Sequence, residues 1–248
     1  FQGANIVWEW YLKDHLIQDF DEKKPNYGNP GDHPELFSFN TGDSIPEAIS
    51  QDSLETLRAM GKEDRNLTRF NARSDLFHFN AINYNPSLQQ IVVSSPKLSE
   101  VFIIDQSTTT EEAASHKGGK NDRGGDIQYR WGNPENYHKG DSTNRRLFGQ
   151  HDVRWIEPGK PGAGNLTIFN NDVPNGPDTL DYTSVYEIKP PLLADGTYLL
   201  REEGDFGPDE LEWNYVAKDT ISFYASFISG AHRMENGNTF INAGPMGR

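Results

Sequence analysis

Apolar residues along this chain come in short runs, alternating or continuous, closed off by turns that contain Asn, Pro and Gly. This is the pattern of β-strands rather than of amphipathic helices. Three pairs of runs recur. The first pair is 78–84 and 91–95, joined by a turn at Asn85-Pro86. The second is 151–156 and 166–171, joined across 158–164. The third is 226–232 and 239–242, joined at Asn236-Gly237. The pairs start at His78, His151 and Ser226, which are 73 and then 75 residues apart. Further runs repeat in the same order. Segment 101–105 matches 185–188, segment 127–131 matches 211–215, and 6–10 reads as an earlier copy of that aromatic-rich outer run. Four short strands repeated as a unit are the signature of propeller blades. The expected fold is therefore all-β: about three four-stranded blades of a β-propeller. A β-sandwich with accidental internal similarity is the competing architecture.

Two stretches interrupt the repeat. Residues 18–73 form a long polar insertion with one expected helix over 44–60, signalled by Ser44-Ile45-Pro46. Residues 106–127 form a shorter insertion rich in Thr, Gly and Lys. The whole of 1–248 is read as part of one propeller domain. Propellers close with roughly 4–8 blades, so the chain is expected to be a fragment, or to be completed by further chain or by another copy.

Composition agrees with this picture and removes several functions. Aromatic residues make up 12%, too many for a disordered chain, and the 23 Gly and 15 Pro suit a protein of many turns. The net charge of −14 argues against nucleic acid and anionic membranes as partners. The absence of cysteine removes disulfides, thiol catalysis and iron–sulfur ligation. No apolar run is long enough to span a membrane.

Strands of a blade alternate in direction. The start of the first strand, the end of the second and the end of the fourth then share one rim. This groups His78 with Ser94 and Ser95, His151 with Asn170 and Asn171, and Ser226 with Asn242. Loops carrying His15, His33, His138, Arg145, Arg146 and Arg248 are expected at the same rim, as is the loop 172–178. A local concentration of His, Asn and Arg in an acidic protein suits a small anion such as a sulfate or phosphate ester. His116 is expected to be solvent-exposed and His232 structural. A metal site built from His78, His151 and Asp152 is set aside because no metal-ligand spacing supports it.

These residues resemble the bacterial arylsulfotransferase family. The resemblance is carried by Val7-Trp8-Glu9-Trp10, Asp14-His15-Leu16, His33-Pro34-Glu35-Leu36, His78-Phe79-Asn80 and Ser107-Thr108-Thr109-Thr110-Glu111-Glu112-Ala113. It continues through Arg130-Trp131-Gly132-Asn133-Pro134, Gly149-Gln150-His151-Asp152, Ile168-Phe169-Asn170-Asn171 and Asn236-Gly237-Asn238-Thr239. It implies a six-bladed propeller, periplasmic or extracellular, that moves a sulfuryl group from a phenolic sulfate ester to a phenol through a transiently sulfated histidine. No nucleotide donor, metal or other cofactor is implied.

Carried onto this sequence, the resemblance makes His78 and His151 the catalytic candidates. Asn80, Asn170, Asn171, His15, Arg145 and Arg248 become the substrate-binding candidates. The family's nucleophilic histidine lies further along the chain than His151, and no histidine follows Asn242 here. The arginine that often follows the Phe-Asn-Asn stretch is absent from 172–178, and Arg145, Arg146 or Arg248 would have to replace it. Two other readings stay open. One is a non-catalytic propeller acting as a binding or scaffold module. The other is a quinone-dependent propeller dehydrogenase, for which the chain offers neither an adjacent cysteine pair nor a tryptophan docking repeat.

Overall fold

The structure is a computed structural model. It describes residues 5–40, 49–59, 68, 77–176, 180–219 and 222–247. In chain order the strands are β1 (Leu16–Ile17), β2 (Phe37–Ser38), β3 (Ala81–Asn85), β4 (Gln90–Ser95), β5 (Glu100–Asp105) and β6 (Ile127–Trp131). They continue with β7 (His151–Trp155), β8 (Leu166–Val173), β9 (Tyr182–Ile188), β10 (Trp213–Val216), β11 (Gly230–Arg233) and β12 (Thr239–Asn242). Among the described residues, two α-helices, α1 (Gln51–Ala59) and α2 (Thr110–Ala113), lie one in each insertion.

β3–β6 form one four-stranded antiparallel meander and β7–β10 a second, while β11 and β12 form a hairpin. The all-β expectation holds, and each expected run from β3 to β12 contains a strand, but β3 begins at Ala81 rather than at His78, whose φ of +45° is not extended. The first strands adjoin: β7 packs on β3 and β4, and β11 packs on β7 and β8. Side-chain chemistry fixes the turns. Asn85 Oδ1 accepts from the Ser87 and Leu88 amides, and Asn236 Oδ1 accepts from the Asn238 amide, the local bonds that make Asn a turn former.

The middle strands are buried on both faces, so alternate residues feed different cores. In β5, Val101 and Ile103 enter a core between the two meanders with Leu166, Ile168 and Trp155. Phe102 and Ile104 face the other way and pack with Phe37 beneath the N-terminal segment. In β8, Phe169 turns from the shared core toward Val185, Ala225 and Ala231 under the hairpin. An ion pair crosses the first meander. Arg130, 1% exposed, makes two bonds to Glu100, at 2.8 and 2.6 Å, and its guanidinium lies 4.1 Å from the Tyr137 ring centroid.

Three further sequence expectations are corrected. Residues 6–10 form no strand; Trp8 and Trp10 instead anchor an irregular segment, their indole N–H groups donating to Thr108 Oγ1 at 3.0 Å and Gly125 O at 2.8 Å. The expected strand 226–232 begins only at Gly230, since Ile228 and Ser229 have positive φ and break the extended backbone. The described helix in the first insertion begins at Gln51, after Ser50, whose hydroxyl accepts from the Ser53 amide as an N-cap does. The Ser44-Ile45-Pro46 signal and Met60 lie outside the described residues.

Candidate active site

A cavity of about 390 Å³ opens where the start of β7 meets the loop before β3. Its walls include His78, Lys97, Arg145, Phe148, His151 and Asp172. His151 is the first residue of β7, and the strand bulges just after it. His151 pairs with Phe169, but the next partners are Arg154 and Thr167, leaving an extra residue in β7. Asp152 absorbs the irregularity at φ +52°. Such a bulge re-aims the side chains beside it. Asp152 consequently bonds the Ala231 amide at 2.9 Å and pairs with Arg154. Among the described residues, His78, His151 and Asp152 form no common metal-ligand group.

The imidazole of His151 is held by one nitrogen. Nδ1 lies 3.0 Å from both Gly149 O and Asn171 Oδ1. Which way the Asn171 amide faces is settled on its other side, where Nδ2 donates to Ala225 O and Ile228 O at 2.6 and 3.0 Å. Oδ1 is therefore an acceptor, Nδ1 carries the proton, and the Nε2 lone pair has no partner among the described residues. Burial lowers the His151 pKa from 6.5; the bonds to Asn171 and Gly149 act in the opposite direction, and neighbouring His78 pushes it down further. The ring is thus kept neutral, with an unprotonated Nε2 on a residue that lines the cavity. Gly149 makes the hold possible: it sits at φ +62°, and a Cβ there would come within 2.8 Å of Asp172 Oδ2.

The neighbouring residue of each histidine motif ties the sheets together. Asn80 Nδ2 donates to Gln150 O at 2.8 Å. The fully buried Gln150 reaches into the first meander and donates to Ser95 O and Glu100 O at 2.9 and 3.0 Å. Asn170 Oδ1 accepts from the Phe148 amide at 2.8 Å, while its Nδ2 donates to Arg146 O at 3.0 Å, clamping the loop that carries Arg145. Arg145 donates to Leu147 O and stacks over Phe148, 4.5 Å from the ring centroid. Partial burial lowers its pKa, yet a guanidinium remains charged. His78 stands at the cavity with φ +45°, in the left-handed region that costs a non-glycine residue energy.

The structure thus brings His78, His151 and Arg145 to one cavity, with Asn80, Asn170 and Asn171 behind them making protein bonds. His15 does not line this cavity. It is wholly buried with both nitrogens engaged, by Asp126 at 2.7 Å and Ala113 O at 2.8 Å, and it stacks on Trp10. His33, His138 and Arg146 lie elsewhere too, beside Glu35, Asn29 and Asp209 respectively. Arg248 lies outside the described residues. His232 is half-exposed, 3.7 Å from Asp152. His116 has an exposed ring, as expected, but also bonds Asp126. Sequence reasoning missed Lys97, which follows Ser94 and Ser95 at the expected rim, and the cross-linking role of Gln150.

The family model described as Arylsulfotransferase (ASST) matches residues 2–188. The chain belongs to the arylsulfotransferase family. The matched segment runs to the last residue of β9 and contains His78, Lys97, Arg145, His151 and Asp172. The cavity of this family member is therefore built largely from the matched part, with Ser226 and Phe227 added from beyond it. No curated protein matches the chain significantly. No described helix is long and apolar enough to cross a membrane.

Proposed function

We propose that the protein transfers a sulfuryl group from a phenolic sulfate ester to a phenol at this cavity, with His151, in place of the family's later histidine, as the group that receives it. The observation that carries the proposal is the neutral His151 ring, fixed through Nδ1, with Nε2 unspent on a residue that lines one cavity with Lys97 and Arg145. Nε2 attacks sulfur, the sulfur–oxygen bond to the aryl group breaks, and the phenol leaves with the bond's electron pair. The acceptor phenol then attacks the sulfuryl group, the nitrogen–sulfur bond breaks, and Nε2 recovers its lone pair. Charge spreads over the three sulfuryl oxygens during both steps, where the cationic side chains act. In this reading His78, which lines the same cavity, hands a proton to the departing phenolate and takes one from the acceptor. Taking the repeat and the family together, the two meanders and the hairpin are blades of a six-bladed propeller working in the periplasm or outside the cell.

The test is to follow 4-nitrophenol release from 4-nitrophenyl sulfate with and without excess phenol. Acceptor-dependent release that disappears in His151→Ala and His78→Ala supports the proposal. No release from folded protein, with aryl sulfate still bound, would instead identify a non-catalytic anion-binding module.

A further inference from the structure

A second histidine cluster lies away from the cavity, where the N-terminal segment meets the shorter insertion. His15 is wholly buried, with Nδ1 2.7 Å from Asp126 Oδ1 and Nε2 2.8 Å from the carbonyl oxygen of Ala113. Both neighbours are hydrogen-bond acceptors when the carboxylate is ionised. A neutral imidazole has one N–H and can satisfy only one of them. The other contact would set a nitrogen lone pair against an oxygen lone pair unless a cation stands between them.

His116 approaches the same carboxylate from the solvent side. Its Nδ1 lies 2.8 and 3.0 Å from the two oxygens of Asp126, and its ring is 61% exposed. One ligand-type atom from each of the three residues falls within 4.8 Å of the others. Beside them is a recess of about 540 Å³ lined by His33, Glu35 and Arg123 as well as His116 and Asp126. Glu35 accepts there from His33 at 2.9 Å.

We propose that His15, His116 and Asp126 bind one divalent first-row transition-metal ion of the zinc class, with a further coordination position open to the recess. Two imidazoles and a carboxylate are the ligand types such ions take. With the ion on Nδ1, His15 stays neutral and its Nε2–H donates to Ala113 O, the outer-sphere bond that a metal-bound histidine characteristically makes. Trp10 fixes the ring plane by stacking at 5.4 Å with an interplanar angle of 1°. Gly125 permits the close fit, since a Cβ there would lie 2.7 Å from His15 Nε2. Around a tetrahedral ion with bonds of about 2.0–2.2 Å the ligand atoms stand roughly 3.3–3.6 Å apart, so the present contacts would open by a few tenths of an ångström to about 0.9 Å, through movement of the exposed His116 ring and of the Asp126 carboxylate away from His15. The ion would pin the N-terminal segment to the insertion around α2.

The test uses the whole protein, stripped with a chelator and titrated with zinc chloride by calorimetry and with cobalt(II) by visible absorption. One equivalent should bind, and cobalt should show the d–d bands of a low-coordinate site. His116→Ala alters an exposed side chain and should keep the fold while weakening binding at least about tenfold. Asp126→Asn should weaken it too, and His232→Ala should leave it unchanged. Failure of both metals to bind, or binding that His116→Ala does not weaken, would overturn the proposal. So would nitrogen NMR showing both His15 ring nitrogens protonated in the presence of zinc, because a proton would then be the bridging cation.

Discussion

His151 and His15 are both histidines withdrawn from solvent and tied to neighbours, yet they are prepared for different work. His151 gives one nitrogen to an amide and a backbone carbonyl and leaves the other at a cavity flanked by Lys97 and Arg145. His15 has both nitrogens committed, to Asp126 and Ala113, and no part of its surface reaches solvent. Under the proposed function, what separates the reactive histidine from the fastening one is which nitrogen the surroundings use up. Burial alone does not decide it.

The comparison breaks most visibly under substitution of the two rings. His151→Ala should reduce sulfuryl transfer by about 10³-fold or more, as removal of a reacting group does, with little change in the melting temperature. His15→Ala should do the reverse. It leaves the Asp126 carboxylate buried without its main partner and should cost about 3–5 kcal/mol of stability, read from denaturant unfolding, while the folded fraction retains its turnover.

Asn171→Ala sharpens the contrast at a smaller scale. It removes the acceptor that fixes the His151 tautomer and frees two buried carbonyls, Ala225 O and Ile228 O. Turnover should fall by about 10–100-fold, and stability by about 1–3 kcal/mol.

The pH dependence should show the smallest effect. Burial holds the His151 pKa below 6.5, so the acid limb of kcat/KM should have its midpoint below 6.5. The same shift links to folding. The unfolded chain binds the proton more readily, so the contribution of His151 to stability is full above pH 6.5. It is lost as the pH falls from there through the folded-state value. A midpoint at or above 6.5 would mean that His151 is not the group that must be neutral.

Much of the fold was legible because the strand repeat reports on burial, and burial of the middle strands is what the two meanders share. The runs 91–95, 101–105, 166–171 and 185–188 read correctly because both faces of β4, β5, β8 and β9 are largely packed. The segment 6–10 misled because Trp8 and Trp10 are aromatic for another reason: their indole N–H groups anchor a coil to the insertion. At the site, His78 and His151 could be paired by repeat position. His15 could not be placed from sequence, since its partners Ala113 and Asp126 lie about a hundred residues away in an insertion that obeys no repeat. Asn80, Asn170 and Asn171 show another limit. Residue type and motif indicate that an amide is needed, but only the contacts show that it bonds Gln150 O, the Phe148 loop and His151.

The most direct test of the central claim is to trap the transferred group. The protein would be mixed with 4-nitrophenyl sulfate in the absence of any acceptor, quenched under alkaline conditions and digested for peptide mass spectrometry. The expected result is a burst of one equivalent of 4-nitrophenol and the added mass of one sulfuryl group on His151, discharged when phenol is supplied. A burst with the added mass on another residue, or turnover with no covalent intermediate, would contradict it.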